Sequence, residues 1–279
     1  MLREIGVVMS VAVLENAMDV AVVTGASSGI GFEFCKLLAA DDIALIMVGN
    51  AGEEQLLQQK QAELQQQYSN VNVLGHIAVD LAKPEGAEAL FRDVKTIYSE
   101  PISHLFNNAG FGDHKLFIES DLQRQNQMMQ LNMLTPVNLM HLFLPEMIKA
   151  NRGYILNTVS IAGFLPLPHM SVYSSTKSFL RNFTRAVQSE IKNTNIVITA
   201  LHPGATATNF IATAEADNAA GLSFYKPSSP ENVAKLGYEG LKQEKRFVIP
   251  GLINKLVAGF GAYFPVPSLV VGIAKKVIG

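Results

Sequence analysis

The sequence predicts an α/β protein built on a doubly wound parallel sheet with helices on both faces. Short, continuous apolar runs recur along the chain, segments with helical spacing alternate with them, and the first run leads straight into a glycine and serine turn. A strand that is apolar without alternation is buried on both faces, and a parallel sheet covered by crossover helices provides that burial. At 279 residues, 48% hydrophobic and 16% charged, the chain can bury a sizeable core, and no linker-like stretch divides it, so a single domain is expected.

Val20 to Thr24 (VAVVT) is the first strand, Gly25 to Gly31 the turn, and Phe32 to Ala40 the first helix. Ile43 to Val48 repeats the buried-strand pattern, and Glu53 to Tyr68 is a glutamine-rich helix with Leu56, Leu57 and Leu64 as its apolar contacts. Further strands are read at Val71 to Val79, Ser103 to Asn107, Gly153 to Thr158 and Asn195 to Leu201, with helices near 84–99, 119–150 and 172–193. This body covers 18–250. Residues 1–17 read as an extension: their apolar run from Ile5 to Leu14 is too short to span a bilayer and lacks a small-residue cleavage site. Residues 251–279 form an apolar tail interrupted by Pro265 and Pro267. Those prolines break any single spanning helix, so packing on the body or a partner is read ahead of contact with a membrane surface.

A net charge of −2 gives no electrostatic reason to propose nucleic acid. The single cysteine, Cys35, cannot form an internal disulfide and suits a reducing, cytoplasmic setting; its place on a helix face reads as structural. No His, Cys, Asp and Glu cluster has metal-ligand spacing.

The chemistry-bearing positions fall at strand ends. In TGASSGIG (Thr24 to Gly31) small residues let backbone approach a pyrophosphate, while the helix that follows offers free N–H groups and a positive dipole end. Asp80 and Leu81 end the third strand; the aspartate can accept from an adenine amino group or cap a helix before Pro84. Asn107, Asn108, Ala109 and Gly110 end the fourth strand, and Pro203 and Gly204, followed by Thr206 and Thr208, end a later one. Asn132 lies mid-helix, a poor place for asparagine, so a hydrogen-bonding reason is expected for it. Tyr173 and Lys177, thirteen residues and more beyond Ser160, are spaced i, i+4 on one helix face, where an ammonium can favour ionisation of a phenol.

TGASSGIG, NNAG, Asn132, Ser160, Tyr173-x-x-x-Lys177 and PGATAT, in this order and spacing, resemble the short-chain dehydrogenase/reductase family over residues 18–250. The resemblance implies a Rossmann-like fold and an NAD(P)-dependent oxidoreductase that interconverts a ketone and a secondary alcohol. It makes Tyr173 the general acid/base, Ser160 the group that holds and polarises the substrate oxygen, and Lys177 the partner of the nicotinamide ribose that lowers the tyrosine pKa. Asn132 holds a water in the proton relay. Gly25, Ser27, Ser28, Gly29, Ile30, Gly31, Asn50, Asp80, Leu81, Asn107, Ala109, Gly110, Tyr173, Lys177, Pro203, Gly204, Thr206 and Thr208 are the implied cofactor contacts. It further implies a homodimer or homotetramer assembled through the helices near 119–150 and 172–193.

Cofactor choice is read at the end of the second strand, where an acidic residue favours NAD(H) and an arginine NADP(H). Asn50 stands there in VGNAGEE, and Ser28 adds no basic charge. Both cofactors therefore stay open, with the resemblance leaning to NADP(H). Phe111, Phe164, Leu165 and Met170 suggest an apolar substrate wall and a hydrophobic carbonyl compound, or else residues that pack beneath a lid. His169 and His202 read as local structure. The rival class is a non-catalytic dinucleotide-binding redox sensor or scaffold, which has no need for an acid/base phenol.

Overall fold

The computed structural model describes residues 18–208 and 227–263; the extension 1–17, residues 209–226 and the tail from 264 lie outside the described residues. The elements, in chain order, are β1 (Val20–Thr24), α1 (Gly29–Ala40), β2 (Ala44–Gly49), α2 (Glu54–Gln67), β3 (Val73–Ala78), α3 (Gly86–Ile97), β4 (His104–Asn107), α4 (Leu122–Met129), a π turn (Gln130–Leu134), α5 (Thr135–Lys149), β5 (Gly153–Thr158), α6 (Ser171–Glu190), β6 (Ile196–Leu201), α7 (Pro230–Lys242), β7 (Phe247–Val248) and α8 (Leu252–Tyr263). The strands form one sheet in the order β3-β2-β1-β4-β5-β6-β7, and every pairing is parallel.

Alternation of side chains across each strand makes two cores. Ala21, Val23, Leu45, Met47 and Phe106 face Phe34 and Leu38 of α1 and Tyr238 and Leu241 of α7. Val20, Val22, Ile46, Leu105 and Ile155 face Leu90 and Val94 of α3 and Leu139, Phe143 and Met147 of α5. Burial on both faces is why the strands read as uninterrupted apolar runs. In α2, Leu57 and Leu64, seven residues apart on one face, are buried, whereas Leu56, expected as a contact, is turned outward.

Because the order runs outward in both directions from β1 and β4, the chain leaves these neighbouring strands towards opposite ends of the sheet. A crevice opens at their carboxyl ends. TGASSGIG follows one of these strands and NNAG the other. The long helix expected over 119–150 is present as α4, the π turn and α5, with the π turn carrying Asn132. α7 and β7 were not read from sequence, and β7 extends the sheet along β6. Among the described residues, no helix is long and apolar enough to cross a membrane.

Candidate active site

Thr24, the last residue of β1, draws the two sides of the crevice together. Its hydroxyl donates to the Phe106 carbonyl (3.1 Å) and accepts from the N–H groups of Asn108 (2.9 Å) and Ala109 (3.0 Å). The Asn108 amide donates to the Thr24 carbonyl and its oxygen accepts from the Thr158 hydroxyl, so β1, β4 and β5 end in one hydrogen-bonded ledge. Gly31 packs so closely on this ledge that a Cβ would lie 2.0 Å from the Gly25 carbonyl oxygen. α1 begins at Gly29, inside the turn, and its first N–H groups therefore lie at the crevice. From the far side, Thr208 approaches so closely that a Cβ on Gly29 would meet its methyl at 2.9 Å. The PG segment thus closes over the glycine turn, with the Pro203 carbonyl accepting from Ile161 N–H and Thr206 bonded to the Gly204 carbonyl. This floor of backbone without side chains fits a pyrophosphate.

The catalytic candidates meet at the same edge. Asn132 accepts from Phe111 N–H (3.3 Å) and donates to the Phe111 carbonyl (2.9 Å) and to the Thr176 hydroxyl (3.3 Å). This is the expected reason for an asparagine mid-helix, and it falls in a π turn, a helical irregularity common at functional sites. A Cβ on Gly110 would stand 2.9 Å from the Asn132 oxygen and 3.5 Å from Lys177 Nζ, so NNAG, the π turn and α6 converge on one point. Lys177 is buried and donates to the Thr158 carbonyl at 3.0 Å. Ser160 accepts from Ala162 N–H at 3.1 Å and is hydrogen-bonded to the Tyr173 side chain. Gly163 lets the short turn after Ser160 lie directly on α6, since a Cβ there would be 2.7 Å from the Lys177 carbonyl.

Electrostatics correct one expectation. Burial pushes the Tyr173 phenol up to about 12, while its hydrogen bond to Ser160 acts to lower it; the expected lowering by Lys177 is not among the causes. Burial also depresses the Lys177 ammonium from 10.5 to about 8. His202 is buried, held down to about 4 by its burial, and its Nδ1 lies 3.3 Å from the Ser160 carbonyl, so a neutral ring supports the serine's backbone. The Cys35 thiol is fully buried and pushed upward by desolvation, in keeping with a structural role.

The side chains of the other expected contacts are held as follows. Asn107 directs its amide into the sheet interior, donating to Asn157 at 2.8 Å, and Leu81 is buried in the core with its carbonyl accepting from Thr135 at 2.7 Å. The Asp80 side chain accepts from Ala82 N–H (2.9 Å) and does not cap α3, whose N-cap is Glu85. Ile30 packs on the core. Ser27 is buried, Ser28 is the N-cap of α1, and Asn50 follows β2. Of the apolar wall, Phe111, Leu165 and Met170 pack around Tyr173, whereas Phe164 stands apart, its ring 4.9 Å from His202 and 4.5 Å from the Arg181 guanidinium. Asp113 escaped the sequence reading: buried, it accepts from Arg124 (3.2 Å) and Gln125 (2.5 Å) and so ties the Phe111 loop to α4.

The parallel sheet thus carries a glycine turn and the Ser160, Tyr173 and Lys177 group together at its switch point. A model of the short chain dehydrogenase family matches residues 19–219, and the chain belongs to that family, whose members are oxidoreductases acting on alcohol and carbonyl groups. It is 32% identical over 199 residues to the uncharacterized oxidoreductase YvrD of Bacillus subtilis, covering 71% of this chain and 73% of that one. It is also 32% identical over 182 residues to a very-long-chain 3-oxoacyl-CoA reductase of Laccaria bicolor, covering 64% of this chain and 52% of the relative. Two solved structures share the fold: a short-chain dehydrogenase from Sphingobium yanoikuyae in complex with NADPH (TM-score 0.77, 24% identity, 88% of this chain and 93% of that one) and one from Burkholderia phymatum in complex with NAD (TM-score 0.73, 22% identity, 86% and 92%).

Proposed function

We propose that the protein reduces a hydrophobic ketone, of oxoacyl, steroid-like or aryl type, to a secondary alcohol with NADH or NADPH, and catalyses the reverse oxidation. The observation that carries this is the convergence of Ser160, Tyr173, Lys177 and Asn132 beside the glycine turn at the switch point. Backbone from Gly25 to Gly31, Ala109 and Gly110, with Thr206 and Thr208 above, would hold the dinucleotide, and Lys177 would donate to its nicotinamide ribose. The bound nicotinamide supplies the hydride. Ser160 orients the substrate oxygen, and Tyr173, a neutral phenol well above neutral pH, donates its proton to the developing alkoxide; such proton transfer is worth about 10²–10⁴ in rate. Asn132, fixed by Phe111 and Thr176, holds the water from which the proton is replaced. Phe111, Leu165 and Met170 supply the apolar wall against which the carbonyl compound lies.

A second copy of the chain is the proposed partner. Phe117, Ile118, Leu122 and Leu134 are exposed, and Phe117 also lines an open apolar groove of about 580 Å³ with Met129, Met133 and Val172. The reading is tested by titrating the protein with NADH and NADPH, then following nicotinamide absorbance across oxoacyl thioesters, steroid ketones and aryl ketones. Turnover of at least one class is expected. Tight dinucleotide binding with no turnover on any would instead establish a binding protein.

A further inference from the structure

An acidic side chain, that of Glu53, occupies the end of the second strand beside Asn50. Residues 50–53 form a tight turn in which Glu53 N–H donates to the Asn50 carbonyl at 3.0 Å. Gly52 takes φ +89°, the conformation that the third position of a type II turn requires. The turn brings Glu53 back over the end of β2. Its Oε2 accepts from Asn50 N–H at 2.8 Å, and a Cβ on Gly49 would lie 2.9 Å from the same oxygen. The carboxylate therefore sits at the tip of β2, although Glu53 lies three residues beyond Asn50 in sequence.

That tip adjoins the glycine turn: Thr24 pairs with Val48, and Ala26 N–H donates to the Val48 carbonyl at 2.9 Å. Lys177, Ser160 and Tyr173 lie towards the β4 and β5 side of the switch point. A dinucleotide with its nicotinamide there and its pyrophosphate on the turn must lay its adenosine over β1 and β2, so the adenosine ribose meets Glu53. Resting on the proposed dinucleotide reading of the site, we infer that Glu53 selects NAD(H) over NADP(H), the reverse of the lean drawn from resemblance. It acts in three ways. Its second oxygen accepts from a ribose hydroxyl, its charge repels a 2′-phosphate, and its bond to Asn50 removes a backbone N–H that could have donated to that phosphate. The lysines lining the 260 Å³ cleft beside Ser28 and Gly29 do not offset this charge. Lys36 is paired with Glu33 (3.0 Å) and Lys60 with Glu63 (2.7 Å), and both lie over the Phe32 ring.

The test is equilibrium titration of the full chain and of Glu53→Gln with NADH and with NADPH. The chain has no tryptophan, so nicotinamide emission can be read directly. Glutamine keeps the shape and can still accept from Asn50 N–H, so the variant removes charge alone. Wild type is expected to bind NADH about tenfold more tightly than NADPH, equivalent to about 1.4 kcal/mol. Glu53→Gln should tighten NADPH about tenfold with NADH changed by less than about threefold, and added salt should narrow the wild-type preference. A wild-type preference for NADPH, or a ratio unchanged in the variant, would overturn the role of Glu53 while leaving the site intact. Failure of both dinucleotides to bind would overturn the reading of the site itself.

Discussion

Lys177 shows most plainly the tension between stability and chemistry. Its ammonium is buried and donates to the Thr158 carbonyl, and the depression from 10.5 to about 8 corresponds to roughly 3 kcal/mol of destabilisation at neutral pH. Lys177→Met is therefore expected to melt above wild type at pH 7, by the equivalent of about 1–2 kcal/mol once the orphaned carbonyl is counted, while losing activity. The sign with pH follows from linkage. Between about 8 and 10.5 the folded protein has released this proton and the unfolded chain has not, so the wild type gains stability as pH rises. Calorimetry of both proteins from pH 7 to 10 should show the gap closing. Reductive kcat should fall above about pH 8 as Lys177 discharges, whereas Tyr173 keeps its proton up to about 12; an alkaline limb first appearing above 10 would remove Lys177 from the step.

At the scale of elements, the π turn places Asn132 against both Phe111 and Thr176, a position a regular helix would rotate away. Asn132→Leu leaves the Phe111 carbonyl and N–H without these partners, so a loss of about 1–3 kcal/mol in thermal stability and of at least about tenfold in turnover is expected, read by thermal shift and single-turnover kinetics. Wild-type stability in that variant would show that the π turn does not depend on the asparagine. The sequence flagged Asn132 because asparagine is a poor helix former, but a one-residue widening of a helix leaves no periodic signature. α7 was legible and missed: Ser229 caps it, Pro230 opens it, and Val233, Ala234, Gly237, Tyr238 and Leu241 recur at helical spacing. β7, two residues long, carries no such signal.

Across the whole molecule, the fold was readable because a buried parallel sheet writes continuous apolar runs, and the site because its segments all end strands at one edge. Roles set by side-chain direction were not readable: Asn107 and Leu81 turn inward, Phe164 turns to Arg181, and Thr24 ties β1 to β4 through a hydroxyl that looked like ordinary strand sequence. The place of Glu53 depends on the turn through Gly52 that returns it over Asn50, which sequence distance alone does not show. For assembly, the exposed Ile118 and Leu122 predict a homodimer by light scattering that Leu122→Glu weakens at least tenfold; an unchanged mass would put the interface elsewhere.

The central claim, that Tyr173 is the proton donor of a nicotinamide-dependent carbonyl reductase, is tested most directly by kcat for Tyr173→Phe on a ketone the wild type reduces, with dinucleotide affinity measured alongside. The account predicts a loss of about 10²–10⁴ in kcat with affinity changed by less than about twofold; full turnover in that variant would contradict it.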